Sequence, residues 1–80
     1  MINMKKYLEK TNDSLFNEEF KGKEYLISRN DVLGYIGVSL KAAEEEYEDV
    51  FFIQGDEAGF YLDLHRDGQL LKYLDSAGAL

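Results

Sequence analysis

The chain has 80 residues, with 16 acidic and nine basic side chains, a formal net charge of −7, and no cysteine, proline or tryptophan. This length predicts a single domain over residues 1–80, and a hydrophobic content of 45% excludes wholesale disorder. The lack of cysteine excludes disulfides and thiolate metal sites. No apolar run reaches the roughly 20 residues of a membrane-spanning helix, and the N-terminal residues do not have the pattern of a signal peptide. We therefore expect a cytoplasmic protein.

The excess negative charge lies in the second half of the chain. Residues 1–41 carry seven basic and six acidic side chains, a balance of +1, whereas residues 42–80 carry two basic and ten acidic side chains, a balance of −8. A negative field of this kind repels nucleic acid and anionic membranes and attracts basic protein surfaces. We therefore expect no direct contact with nucleic acid or membrane, and a basic protein surface as the partner.

Three short elements are predicted before residue 30. Residues 2–10 contain good helix formers with apolar side chains at helical spacing, which predicts a helix. A second short helix is predicted over residues 14–20, with Asp13 or Ser14 as its cap. The aromatic and β-branched residues in the segment 24–28 then predict a strand.

The middle of the chain favours helix in two capped segments, although Gly34 and Gly37 weaken a continuous helix by roughly 1 kcal/mol each. Ser28 and Asp31 stand three apart as in a capping box, and Ser39 can cap a further helix over residues 40–48, which are dense in strong helix formers. The run Val32-Leu33-x-x-Ile36-Gly37-Val38-Ser39 resembles the core of a helix–turn–helix motif, and the resemblance covers residues 29–48. The resemblance implies a transcription regulator, but its second helix would direct carboxylates at the DNA phosphates. That helix would therefore face a protein partner, with DNA on another surface.

The last third of the chain has the strongest strand signals. Residues 50–53 and 60–65 have strand composition, and Asp67-Gly68 between two apolar runs is typical of a two-residue hairpin turn. That turn sets the register and puts four side chains on the core side: Leu62, Leu64, Leu71 and Tyr73. The sequence predicts an α+β domain with a three-stranded antiparallel meander over residues 50–74, packed against helices.

Few side chains in the chain have the chemistry of a catalyst or a metal ligand. His65 is the only imidazole, and no serine stands in a nucleophile-elbow context. The run Asp63-x-His65-x-Asp67-Gly68 resembles the opening of an EF-hand loop, but Leu74 stands where that loop has its bidentate glutamate. We interpret His65 as an exposed residue beside a turn, and expect no enzyme activity, no metal and no cofactor.

Seven carboxylates lie between positions 44 and 57. In the predicted helix, Glu44 shares a face with Glu48 and Glu45 with Asp49, and each like-charge pair costs about 0.2–0.5 kcal/mol. One interpretation is a solvated face that serves solubility. The other is a surface that binds a basic groove, with carboxylates in the place of nucleic-acid phosphates and tyrosine as an anchor. The predicted partner-binding residues are Glu44, Glu45, Glu46, Tyr47, Glu48, Asp49, Asp56 and Glu57.

Residues 47–75 contain a segment ending in glycine, an acidic loop, an aromatic–aliphatic segment with aspartate and a closing apolar segment. The positions that carry this pattern are Ile53-Gln54-Gly55-Asp56, Gly59, Leu62-Asp63 and Tyr73-Leu74-Asp75. The pattern resembles the later part of SUKH-type immunity domains, in which the apolar segments are strands. The resemblance implies a protein that binds and neutralises a toxin, often a nuclease. The early tryptophan and proline positions of that family have no counterpart here.

In size, charge and lack of catalytic groups the chain is similar to small acidic phage proteins of the anti-CRISPR and anti-restriction type. We expect a non-enzymatic inhibitor, monomeric or homodimeric, that mimics nucleic acid and blocks a basic groove of a nucleic-acid-handling protein. A toxin-neutralising immunity protein and a helix–turn–helix regulator are the alternatives.

Overall fold

A computed structural model describes residues 13–80, which form an antiparallel sheet followed by two helices. The elements in chain order are β1 (Ser14–Phe20), β2 (Lys23–Asn30), β3 (Tyr35–Ala43), β4 (Glu46–Gln54), α1 (Ala58–Arg66) and α2 (Leu70–Ser76). The strand order is β1-β2-β3-β4, and each strand is antiparallel to the next. The predicted α+β class is confirmed, but the sheet is N-terminal and four-stranded rather than a C-terminal three-stranded meander. The helix expected over residues 2–10 lies outside the described residues.

The segment expected as a short helix over residues 14–20 is instead strand β1. It pairs along its whole length with β2, which confirms the strand expected over residues 24–28. Lys21 and Gly22 join the two strands with φ angles of 51° and 78°. Two positive φ angles are the mark of a type I′ turn, whose twist matches that of the strands it joins. Because the turn is tight, β1 pairs with the segment that follows it directly in sequence. This pairing outweighs the weak helix propensity of residues 14–20.

Asp13 anchors the entry of the chain into β1 instead of capping a helix. Its carboxylate accepts hydrogen bonds from Ser28 Oγ and Asn30 Nδ2, each 3.1 Å long, and from the hydroxyl of Tyr35. These donors belong to β2 and β3. The carboxylate therefore ties the start of the described chain to the two central strands.

Both helices predicted for the middle of the chain are wrong. Residues 35–43 form β3 and residues 46–54 form β4, with Glu44 and Glu45 as the turn between them. The helix–turn–helix expected from residues 29–48 is therefore not formed. Strong helix formers lie in this hairpin because helix propensity is weak, at well under 1 kcal/mol per residue, and sheet pairing on both sides of β3 overrides it.

The strands expected over residues 60–65 and after Asp67-Gly68 are also wrong, because these residues form α1 and α2. Buried positions recur at helical spacing in both segments, at Ala58 and Leu62 in α1. The strands implied for this region by the SUKH-type resemblance are likewise helical. The strand expected over residues 50–53 is confirmed within β4.

Asp67-Gly68 ends a helix instead of turning a hairpin. Gly68 has a φ of 73°, the left-handed conformation that glycine adopts without strain. Its N–H donates to His65 O over 3.0 Å, and the N–H of Gln69 donates to Leu64 O over 2.8 Å. These two bonds are the Schellman pattern that satisfies the last carbonyls of a helix. A dipeptide typical of hairpins thus serves equally well as a helix stop.

The hydrophobic core lies between the helices and one face of the sheet. Alternate residues of β2 and β3 and one side of each helix are buried in it: Tyr25, Ile27, Ile36, Val38, Ala58, Leu62, Leu70, Leu71 and Leu74. Of the predicted core residues, Leu62 and Leu71 are confirmed and Leu64 packs partly buried against the core. Tyr73 is 40% exposed, so its prediction as a core residue is wrong. The opposite face of the sheet carries exposed apolar side chains, such as Leu15 and Phe52.

Candidate functional site

The β3–β4 hairpin brings together most of the carboxylates that the sequence singles out. Glu44 and Glu45 form the turn, and Glu46, Glu48 and Asp49 follow in the first half of β4. We call these five residues the acidic hairpin. They do not form the helical face that was expected, because side chains alternate between the two faces of a strand. All five are exposed.

Asp56 and Glu57 lie away from the acidic hairpin, in the loop that leads from β4 into α1. From Glu48 to the end of β4 at Gln54 the strand covers six positions, and at about 3.3 Å per residue this part alone spans about 20 Å. The seven carboxylates therefore form two groups at opposite ends of β4 instead of one row.

No basic side chain neutralises the acidic hairpin within residues 13–80. The described ion pairs join Lys21 to Asp75, Arg29 to Asp31, Lys41 to Glu24 and Arg66 to Asp63. Lys41, which lies in β3 close to the turn, is thus bound to Glu24 at 3.3 Å. Among the hairpin carboxylates, Asp49 accepts a 2.9 Å hydrogen bond from Ser39 Oγ. The negative field of the hairpin is therefore uncompensated by the described cations.

The acidic hairpin lies on an edge strand. Over the described residues β4 pairs with β3 alone, so its outer row of N–H and C=O groups faces away from the sheet. Its register with β3 shifts twice, with Val50 and Ala42 as the additional residues, and such bulges increase the local twist of an edge. Bulges and carboxylates both hinder a second copy from adding to this edge. Tyr47, 45% exposed, is the aromatic side chain of the same stretch.

A second polar site joins the sheet to α1 and centres on Arg29, which is only 8% exposed. Its Nε and Nη2 each donate to a carboxylate oxygen of Asp31 at 2.8 Å, and its Nη1 lies 3.1 Å from Leu62 O and 2.7 Å from His65 Nδ1. We call Arg29, Asp31 and His65 the Arg29 cluster. In this cluster the buried guanidinium group of Arg29 donates to both oxygens of a carboxylate and contacts two neutral acceptors. A buried charge needs such hydrogen-bond partners.

The Arg29 cluster determines the protonation of His65. Arginine only donates, so His65 Nδ1 accepts and the ring proton is on Nε2. Burial, followed by the charge of Arg29, lowers the pKa of His65, and the hydrogen bond from Arg29 lowers the pKa of Asp31. The ring also packs edge-on against Phe16, with centroids 4.7 Å apart. The interpretation of His65 as an exposed residue beside a turn is therefore wrong.

The EF-hand-like run of the sequence lies in α1 and in the turn after it. Asp63 and His65 are two apart on a helix and so do not share a face, unlike on the strand that was expected. Within residues 13–80, no set of three or more potential ligands is close enough to hold a metal ion. No helix of the described chain is long and apolar enough to cross a membrane. The Arg29 cluster holds α1 against the sheet through Leu62 O and His65 Nδ1.

Comparisons of the chain with protein families, curated proteins and solved structures found no match.

Proposed function

We propose that this protein is a non-enzymatic binding protein whose acidic hairpin docks on a basic surface of another protein. The observation that carries the proposal is the concentration of five exposed carboxylates, without a described cation among them, at one end of an edge strand. Like charges this close repel one another and add nothing to the packing of the core. Contact with a basic surface relieves that repulsion.

Electrostatics support a protein partner over nucleic acid. A net charge of −7 is unfavourable near phosphates, whose contacts supply most of the affinity of nucleic-acid-binding proteins. The same field attracts a surface rich in lysine and arginine and speeds association with it, in a salt-dependent manner.

The finer proposal is that the partner handles nucleic acid and that the acidic hairpin occupies its basic groove, as an inhibitor of the anti-CRISPR or anti-restriction type does. Two residues of a strand on the same side, such as Glu46 and Glu48, are about 6.6 Å apart. A pair of carboxylates at this spacing supports the role of a phosphate mimic. Because such partners are found in the cytoplasm, the same proposal places this protein there.

A toxin-neutralising immunity protein is the second candidate, favoured by the pattern of residues 47–75. It differs from the first in its partner, a toxin such as a nuclease, and not in its mechanism. The two candidates are therefore separated by the identity of the protein that the acidic hairpin binds.

Capture of partners by two immobilised variants tests the proposal. The first is Glu44→Lys/Glu45→Lys/Glu48→Lys, which reverses three charges of the acidic hairpin. The second is Glu19→Lys/Asp67→Lys/Asp75→Lys, which makes the same change in net charge elsewhere. We expect a basic, nucleic-acid-handling protein or a toxin to bind the wild type and the second variant, and to be lost from the first. A partner that binds all three proteins equally would refute the role of the hairpin.

A further inference from the structure

Three aromatic side chains meet on the outer surface of the two helices. Phe60 and Tyr61 come from α1 and Tyr73 from α2, with ring centroids 5.2 Å apart for Phe60–Tyr61 and Phe60–Tyr73 and 6.0 Å apart for Tyr61–Tyr73. We call them the aromatic patch. The interplanar angles of 71–86° are edge-to-face contacts, which are favourable between aromatic rings.

The aromatic patch is only partly used by the fold. Tyr61 faces inward and stacks on Phe51 of β4 with centroids 4.9 Å apart, so it ties the patch to the sheet. Phe60 is 52% exposed and Tyr73 is 40% exposed. The core side of α1 is occupied by Ala58 and Leu62, which leaves Phe60 on the solvent side. A large ring held in place but left half exposed is typical of an interface anchor.

Carboxylates flank the exposed ring of Phe60 on both sides along the helix. Glu57, the N-cap residue, has helical φ and ψ angles and precedes Phe60 by three positions, and Asp63 follows it by three. Residues three apart are neighbours on the surface of a helix. Asp56 adds a further carboxylate in the loop before α1. Arg66 is the described cation nearest to these carboxylates in sequence. It forms an ion pair with Asp63 at 3.3 Å, and the side chains of both residues are exposed.

We propose that the aromatic patch receives an arginine side chain of the basic partner. A guanidinium group stacks on an aromatic ring and at the same time pairs with a carboxylate, and the patch presents both on one surface. An anionic ligand is repelled by Glu57 and Asp63, and an apolar ligand leaves these carboxylates unused. The inference rests on the proposed function and gives the second acidic group, Asp56 and Glu57, a role distinct from that of the acidic hairpin.

A short peptide of alternating arginine and glycine is the probe for this site. The full-length ¹⁵N-labelled protein is titrated with it, and with the lysine and glutamine counterparts, while amide shifts are followed by NMR. We expect shifts around Phe60 and Tyr73 with the arginine peptide, weaker shifts with the lysine peptide, and none with the glutamine peptide. Phe60→Ala and Tyr73→Ala should each weaken this response at least fivefold.

Phe52→Ala is the matched control, since Phe52 is a phenylalanine that is 60% exposed, close to the 52% of Phe60, on the face of the sheet away from the helices. It should bind the arginine peptide like the wild type. Shifts confined to residues 44–49 and unchanged in Phe60→Ala would overturn this inference while supporting the proposed function. Shifts at neither the acidic hairpin nor the aromatic patch would contradict both. Equal binding of the arginine and glutamine peptides at the patch would overturn the assignment to a cation.

Discussion

The acidic hairpin and the Arg29 cluster use charge in opposite ways. In the Arg29 cluster, a buried cation contacts a bidentate carboxylate, a ring nitrogen and a backbone carbonyl. In the acidic hairpin, five exposed carboxylates have no described cation beside them. Removal of a charge from the first group leaves buried polar atoms without partners, whereas removal from the second relieves repulsion. Charge therefore stabilises the fold at one site, and at the other it is available for the proposed partner.

The largest expected effect is from Arg29→Ala, which should lower the free energy of unfolding by about 3 kcal/mol because the Leu62 carbonyl and His65 Nδ1 lose their donor inside the protein. Urea denaturation measures this value. Arg66→Ala, which removes an exposed arginine from α1, is the control and should cost under about 0.5 kcal/mol. Arg29→Lys retains the charge but not the bidentate fork, so its loss should be intermediate. Equal losses of unfolding free energy in Arg29→Ala and Arg66→Ala would contradict the distinction between buried and exposed charge.

A smaller loss is expected from Gly68→Ala, because alanine in the left-handed conformation of the α1 terminus is strained by about 1 kcal/mol. Gly59→Ala is the matched control, since Gly59 lies within α1 without a positive φ and has open space at its Cβ. Alanine there should raise stability slightly. Thermal unfolding distinguishes the two variants. A gain in stability from Gly68→Ala would contradict the helix stop at Asp67-Gly68.

Acidification should weaken the Arg29 cluster. The pKa of His65 is lower in the folded protein than its usual 6.5, so the unfolded chain takes up a proton first as the pH falls. Stability is therefore complete above about pH 6.5 and declines below it, until the pH reaches the folded pKa. The charges that act on the ring are those of Glu18 in β1, Arg29 near the end of β2 and Asp31 in the turn after β2. His65→Gln, whose amide oxygen can accept from Arg29, should show a flatter decline between pH 7 and 5. Parallel curves for the two proteins would rule out this coupling.

The smallest effect on folding is expected at the acidic hairpin. Glu44→Lys/Glu45→Lys/Glu48→Lys should change the free energy of unfolding by less than about 0.5 kcal/mol, or increase it, because exposed charges contribute little and like charges repel. Urea denaturation at low and high salt checks this, and the difference from the wild type should shrink as salt screens the charges. A loss of several kcal/mol would show that these carboxylates serve the fold.

The α+β class and the strand segments around residues 24–28 and 50–53 were predictable from apolar patterning. The buried position of Arg29 had a signal as well, since it continues the alternation of Tyr25 and Ile27. The helices of the last third were not predictable locally, because short apolar runs suit a strand or a helix and Asp67-Gly68 ends either one. The hairpin at Glu44 was missed because β3 pairs with a strand on each side, and this pairing overrides the helix propensity of its residues.

The sequence identifies the acidic residues of the candidate site, but it does not show which of them share one surface. Composition identifies the carboxylates, whereas their division between the two ends of β4 depends on the strand that separates them. The exposed ring of Phe60 was assigned to a strand, and its neighbours Glu57 and Asp63 come into register with it only on a helix. The geometry of the proposed binding surface therefore depends on secondary structure, which the sequence left open.

The central claim is that the acidic hairpin binds a basic partner without a role in stability. Its most direct test is isothermal titration of the captured partner with the wild type, with Glu44→Lys/Glu45→Lys/Glu48→Lys and with Glu19→Lys/Asp67→Lys/Asp75→Lys, all shown to be folded. We predict that the hairpin variant loses affinity at least a hundredfold and that the second variant loses less than tenfold. Equal losses in the two variants, or full affinity in the hairpin variant, would contradict the claim.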